Sequence, residues 1–225
     1  MRQHAQIDAA RTCLFDLDGV LIDSEGRWDE IRRRLAQEAG RPWPAEATRA
    51  MQGMSTSEWS GYLVSRVGLP GTAERVAEQV IAAMAELYAR DVPLIPGAVE
   101  AVQRLAARWP LGLASSSPRT LIDAVLAASG LDGQFQVTVS TEEVAAGKPS
   151  PVVYSRVVDL LGVEPAQTVA VEDSSNGLRS ASGAGLVVVA VPHDAFPPAD
   201  DALALAAVTL GSLDDLTSEL VDSLG

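Results

Sequence analysis

The sequence predicts an α/β fold, a parallel sheet with helices on both faces, with an all-helical block inserted near its start. Three observations carry this reading. From Ala98 onward, apolar runs of strand length alternate with helical patterns. Before that point, residues 25–91 show helical spacing and no strand. Polar clusters stand where the apolar runs end, and ligands of open parallel sheets gather beyond those ends. Strand–helix alternation implies parallel pairing, because parallel strands need a crossover between them.

The opening run, Cys13-Leu14-Phe15, is of the kind that fills a buried strand. It delivers Asp16 and Asp18, with Gly19 behind them. Residues two apart in a strand point the same way, so the pair reads as two acids on one face. Unpaired, they would repel each other and be costly to bury. One alternative is a polar turn in which an acid caps the next segment. The other is a cation site with one carboxylate left to act as a nucleophile.

Trp28, Ile31, Leu35 and Ala39 then fall at helical spacing, while Asp29, Glu30, Arg32, Arg33, Arg34, Gln37 and Glu38 fill the other face. The arginine run reads as a solvated face paired with neighbouring acids, with an anion site as the alternative. Gly40 stops this helix, and Pro42 and Pro44 mark a loop. A second apolar stretch is broken by Gly53 and Gly61. A longer helix from about Thr72 carries Val76, Val80, Ile81, Met84, Leu87 and Tyr88 on one stripe. Val92-Pro93-Leu94-Ile95-Pro96-Gly97 is the return linker, punctuated by prolines and glycine. The expected division is therefore a core of residues 1–24 and 93–225 and a helical block of residues 25–92.

In the core, Val99, Val102, Leu105 and Ala106 mark a helix and Leu111 to Ala114 a short buried strand. Leu121, Ile122, Val125 and Leu126 mark a helix closed by Gly130, and Phe135 to Val139 a strand. Ser150 as N-cap, Pro151 at the first helical position and Gly162 past the end frame the next helix. Thr168 to Val171 and Leu186 to Val191 are two more strands, and a last helix is expected behind Ser212 or Asp215.

The chain has 225 residues, 47% of them hydrophobic and 21% charged, an ordinary balance for a globular protein with a sizeable core. A net charge of −13 argues against a nucleic-acid partner. A small phosphate ester would need local positive charge or a metal to overcome that field. The single cysteine, Cys13, allows no internal disulfide. There is no signal-peptide pattern at the start and no apolar run of membrane-spanning length. A cytoplasmic protein is expected, and, with no coiled-coil heptads, a monomer.

Three further clusters accompany Asp16 and Asp18: Ser115-Ser116-Ser117-Pro118, Gly147-Lys148-Pro149, and Glu172-Asp173-Ser174-Ser175-Asn176-Gly177. Singly, the serines and the acids could be helix caps and Lys148 a solvated loop residue. Together, in this order at successive strand ends, they describe one site.

On these residues the chain resembles the haloacid dehalogenase superfamily along nearly its whole length. Asp16-Leu17-Asp18-Gly19-Val20 matches the first motif, Ser115 the second, Lys148 the third and Glu172-Asp173 the fourth. A helical block just after the first motif is similar to the cap of the β-phosphoglucomutase-like subgroup on a Rossmann-like core. The resemblance implies a magnesium-dependent phosphatase of a small phosphorylated metabolite, with Asp16 as nucleophile and Asp18 as general acid and base. It implies magnesium held by Asp16, the Asp18 backbone carbonyl and Asp173, with Glu172 as a possible or indirect ligand. Lys148, Ser115 and the backbone near Ser116 would hold the phosphate. Substrate choice would fall to the cap, at Trp28 and at Gly53-Met54-Ser55-Thr56. Two departures point away from a mutase and toward simple hydrolysis. Trp28 stands where β-phosphoglucomutase has a histidine, and the stretch after Gly53 lacks that enzyme's arginine. Pro118-Arg119 also replaces a polar pair expected in a mutase. A phosphosugar mutase or phosphotransferase, and a non-catalytic phosphate-binding module, are the alternatives.

Overall fold

The computed structural model describes residues 11–51, 54–193 and 197–224. Six parallel strands form one sheet in the order β3-β2-β1-β4-β5-β6. The first strand, β1 (Thr12–Phe15), lies at the centre, between β2 and β4. It leads into the helical insert: α1 (Glu25–Glu38), α2 (Ala47–Ala50), α3 (Thr56–Tyr62) continued by a π turn at Leu63–Val67, and α4 (Ala73–Tyr88). The rest alternates: α5 (Ala98–Ala106), β2 (Leu111–Ser115), α6 (Arg119–Ser129), β3 (Val137–Ser140), α7 (Val152–Leu161), β4 (Thr168–Glu172), α8 (Ser175–Gly183), β5 (Val187–Ala190), α9 (Asp200–Leu203), β6 (Val208–Thr209) and α10 (Ser218–Ser223).

Every residue of β1, β2 and β4 is buried, because helices cover both faces of the sheet. That is why these strands read as continuous apolar runs rather than alternating ones. On one face Leu14, Ala114, Ala170 and Val188 pack against Tyr154 and Val157 of α7 and Leu178 of α8. On the other, Cys13, Phe15, Val169 and Val171 meet Val102 and Leu105 of α5 and Ile122 and Val125 of α6. This second cluster runs on through Leu17 and Leu21 into the insert, to Trp28, Trp59, Val80 and Met84. Gly112 of β2 lets α7 approach closely, since a Cβ there would lie 2.5 Å from Val157 Cγ1 and 2.7 Å from Leu14 Cδ2.

The two connections to the insert bind each other. Ile22 bridges Leu94 in antiparallel fashion, the Asp23 N–H donates to Pro93 O at 2.8 Å, and the Ile95 N–H donates to Leu21 O at 3.0 Å.

Several elements differ from the sequence reading. Gly61 lies inside α3 rather than breaking it. The third strand is Val137–Ser140, two residues later than its first apolar residue, because Phe135 turns edge-on to Phe15 in the core. The helix framed by Ser150 starts at Val152; the Ser150 carbonyl accepts from Ser180 Oγ at 2.6 Å, and no side chain caps that end. Ser212 caps a 3-10 turn at Leu213–Asp215, and the last helix is capped by Thr217, not by Asp215. The two-residue β6 carries too little pattern to be read from sequence.

Candidate active site

Strand β1 ends at Phe15 and hands over directly to Asp16, whose N–H donates to Val171 O at 3.1 Å. The chain then turns: the N–H groups of Leu21 and Ile22 both donate to Leu17 O, at 2.8 and 3.1 Å, and Gly19 sits at φ +84°. Asp18 lies within this turn, so the strand alternation expected to align it with Asp16 does not reach it. The two carboxylates part. Asp16 Oδ1 pairs with Lys148 Nζ at 2.9 Å. The Asp18 carboxylate accepts from Ser24 Oγ, from Ser117 Oγ at 2.6 Å and from Trp28 Nε1 at 3.2 Å.

Lys148 is buried, reaching Asp16 and also Glu172 Oε1 at 2.5 Å. Tyr154 OH donates to the same Glu172 oxygen at 2.7 Å. Glu172 Oε2 accepts from the Asp173 N–H at 3.2 Å and from Ser174 Oγ at 3.3 Å. All four acceptor positions of this carboxylate are thus engaged. Two glycines make the room. A Cβ on Gly19 would fall 2.0 Å from Asp173 Oδ2, and one on Gly177 would fall 1.9 Å from Glu172 Oε2.

Asp16, Glu172 and Asp173 are buried and each offers an oxygen within 4.8 Å of the others'. Asp173 Oδ1 has no hydrogen-bond partner among the described residues. Burial, then the neighbouring Glu172, pushes the Asp16 carboxyl up to about 8. Burial, then Glu172 and Asp16, raises Asp173 well above the carboxylate range. For Lys148, burial disfavours the charge, but Asp16 and Glu172 outweigh it and raise its pKa. Buried carboxylates that crowd one another in this way, around a single lysine, suit a hard divalent cation with oxygen ligands.

The serines of β2's end play different parts. Ser115 is fully buried, its Oγ accepts from the Ser117 N–H at 3.0 Å, and it is not among the residues lining the cavity. Ser116 and Ser117 line the cavity, and Ser116 Oγ has no partner among the described residues. Ser140 Oγ holds Ser117 O at 2.7 Å from below. Arg119 turns away to Glu143 and Thr138.

The cavity over these groups measures about 80 Å³. Its far wall comes from the helical insert: Glu25, Trp28, Arg32, Met51, Met54 and Trp59. Of the residues expected to set specificity, Trp28 and Met54 are in this wall. Ser55 and Thr56 line a neighbouring cleft, with Ser55 and Glu58 forming the N-terminal capping box of α3. Gly53 lies outside the described residues. The arginine run divides. Arg33 pairs with Asp29 at 2.5 Å and Arg34 with Glu38 at 3.9 Å, as a solvated face should, but Arg32 is buried. Arg32 stands four residues after Trp28, on the same helical stripe, and that spacing is the signal that could have found it. Ser24 and Tyr154 stand outside the clusters read from the sequence, whereas Ser117 belongs to the serine cluster. Nothing local distinguishes Tyr154 from a core aromatic.

A parallel sheet of this order, with acids beyond the end of its central strand and a lysine and a second acidic pair close by, has its charged site where open α/β sheets bind their ligands. A protein-family model for haloacid dehalogenase-like hydrolases matches residues 10–185. Hexitol phosphatase B of Escherichia coli (strain K12) is 36% identical over 220 residues, covering 94% of this chain and 96% of its own. Validoxylamine A 7'-phosphate phosphatase of Streptomyces hygroscopicus subsp. limoneus is 34% identical over 212 residues, 92% and 95% of the two chains. Among solved structures, a putative beta-phosphoglucomutase from Thermotoga maritima superimposes with a TM-score of 0.73 at 27% identity, covering 95% and 100%. The chain belongs to the haloacid dehalogenase-like hydrolase family, as one of its phosphatases of β-phosphoglucomutase-like fold.

Proposed function

We propose that the protein hydrolyses a small phosphomonoester, that of a sugar or a related polyol, with magnesium and through an aspartyl-phosphate on Asp16. The observation that carries the reading is Asp16 itself, a buried carboxylate beside Lys148 and an acidic pair, with a second, separately held carboxylate at the same cavity. The names of the two phosphatase relatives support a polyhydroxylated substrate.

Asp16, Asp173 and the Asp18 carbonyl would hold the ion, with Glu172 behind them because its acceptors are taken. When bound, magnesium neutralises the repulsion between these carboxylates and an incoming phosphate dianion. An Asp16 oxygen forms a bond to phosphorus as the bond to the ester oxygen breaks. Asp18, as the acid, gives its proton to that oxygen, and the alcohol leaves. Asp18, now a carboxylate, takes a proton from a water whose oxygen attacks phosphorus, and the Asp16–phosphorus bond breaks to release phosphate. Lys148, the Ser116 hydroxyl and nearby N–H groups offset charge on the transferring oxygens, while Ser115 props the loop. The helical block, residues 25–92, serves as the cap that covers the phosphate ester and reads its alcohol.

Phosphate release from a panel of phosphorylated metabolites, with magnesium, tests this. Turnover of a sugar or polyol phosphate supports it. No release from any ester, phenyl phosphate included, would overturn it, and transfer to a second sugar hydroxyl instead of water would make the protein a mutase.

A further inference from the structure

Arg32 is only 6% exposed and packs against a contacting pair of indoles, its guanidinium 5.0 Å from the Trp28 ring and 5.0 Å from the Trp59 ring, whose centroids are 5.8 Å apart. Its Nε has no partner among the described residues, and no carboxylate pairs with it there. Unpaired buried charge is costly, and stacking on aromatic faces offsets only part of that cost. Partners were available on the same helix, since Arg33 and Arg34 both took one.

Glu25, one side of the same cavity, is the charge that acts most strongly on Arg32, and Arg32 on Glu25. Yet the two do not come within the 4.0 Å of an ion pair. Glu25 and Arg32, two turns apart on α1, thus give one wall of the cavity an acceptor and a forked donor that do not close on each other, beside Trp28, Trp59, Met51 and Met54. A hydroxyl group both donates and accepts, so the hydroxyls of a polyol chain can satisfy both sides at once. Its C–H faces would lie on the indoles and thioethers. A second anion drawn to Arg32 would also meet Glu25 in the same wall and could stay there only with that carboxyl protonated, whereas hydroxyls pair with either form.

We propose that Glu25 and Arg32 form the specificity device of the site, selecting a phosphomonoester whose remainder is an uncharged polyhydroxyl chain and disfavouring bisphosphates and phospho-carboxylates. This rests on the phosphatase reading above and assigns its choice of substrate to two residues of the insert.

The test uses the full chain with magnesium and four esters: a hexitol 6-phosphate, a ketopentose 1,5-bisphosphate, 2-phosphoglycolate and phenyl phosphate. The wild type should have its highest kcat/KM on the hexitol ester. Glu25→Gln should raise the ratio of 2-phosphoglycolate or bisphosphate to hexitol ester about ten-fold. Arg32→Met should lower the ratio of hexitol ester to phenyl phosphate about ten-fold, mainly through KM. If that variant does not fold, Arg32→Lys keeps the charge, loses the fork and reads the same ratio. A wild type that prefers a doubly anionic ester, or variants that change all four esters in parallel, would overturn the proposal. Binding separates its failure from that of the hydrolytic reading. If no ester turns over, hexitol phosphate should still quench tryptophan emission with an affinity that both substitutions weaken. Quenching indifferent to them would end the proposal too.

Discussion

Trp28 Nε1 donates a hydrogen bond to Asp18 Oδ1 at 3.2 Å, so a side chain of the helical insert directly holds the second acid of the turn that follows β1. Trp28 thereby does more than cover substrate: it orients the group assigned the proton transfers. Trp28→Phe keeps a ring beside Arg32 and removes the N–H. The expected result is a fall in kcat of about ten-fold for alkyl phosphates, the weight of one hydrogen bond to a charged group. The fall should be smaller for phenyl phosphate, whose leaving group needs less proton donation. Equal losses on both esters would separate Trp28 from Asp18's chemistry.

Asp16→Asn should abolish the phosphoenzyme, leaving no acid-stable label after a quench with radiolabelled substrate, and lower turnover by about a thousand-fold or more. Asp18→Asn should still label Asp16, while slowing both steps by about a hundred-fold or more. A labelled Asp16→Asn protein would reassign the nucleophile.

Chelation should remove activity, and magnesium should restore it. Calcium should bind the same carboxylates and fail to support turnover, because its larger, looser shell displaces the nucleophile. Undiminished activity in metal-free buffer would count against an ion at the Asp16–Asp173 cluster.

Gly177→Ala separates helix propensity from site geometry. In an open helix the change would stabilise by about 1 kcal/mol. Here the new Cβ would fall 1.9 Å from Glu172 Oε2, so a loss of about 1–3 kcal/mol is expected instead. Urea unfolding measures it, and a gain in stability would mean that Glu172 is not held as described.

Glu25 offers a pH signature. Burial first, and then Asp18, Asp23 and Asp29 against the opposing pull of Arg32, raises its carboxyl from 4.5 to about 7. A carboxyl raised on folding favours the protonated folded state. Its contribution is therefore fully present below pH 4.5 and is lost as pH rises to about 7. Glu25→Gln lacks that loss, so it should gain on the wild type between pH 5 and 8 in urea melts. Parallel pH profiles of the two proteins would show that Glu25 is solvated in the fold.

Much of the fold was legible because its signals are local. Buried strands read as apolar runs, caps and stops lie next to the helices they end, and the order of acids, serines, lysine and second acids along the chain follows the order of strand ends. The same locality hid other features. Tyr154 looks like any core aromatic on α7, and only the packing of α7 across β2 and β3 brings its hydroxyl to Glu172 at the end of β4. Arg32 reads like Arg33 and Arg34 until α3 brings Trp59 across it.

By itself the sequence determined the α/β alternation, the position of the insert and the residues that carry the charges of the site. Only the tertiary structure decided how those charges are shared: Asp16 with Lys148, Asp18 with Ser117 from a strand end 99 positions away, with Ser24 just before the insert and with Trp28 inside it. The reason is physical. Backbone pattern follows from neighbours along the chain, whereas the partner of a buried polar group is set by which elements pack closely enough to desolvate it, and burial makes that partner compulsory.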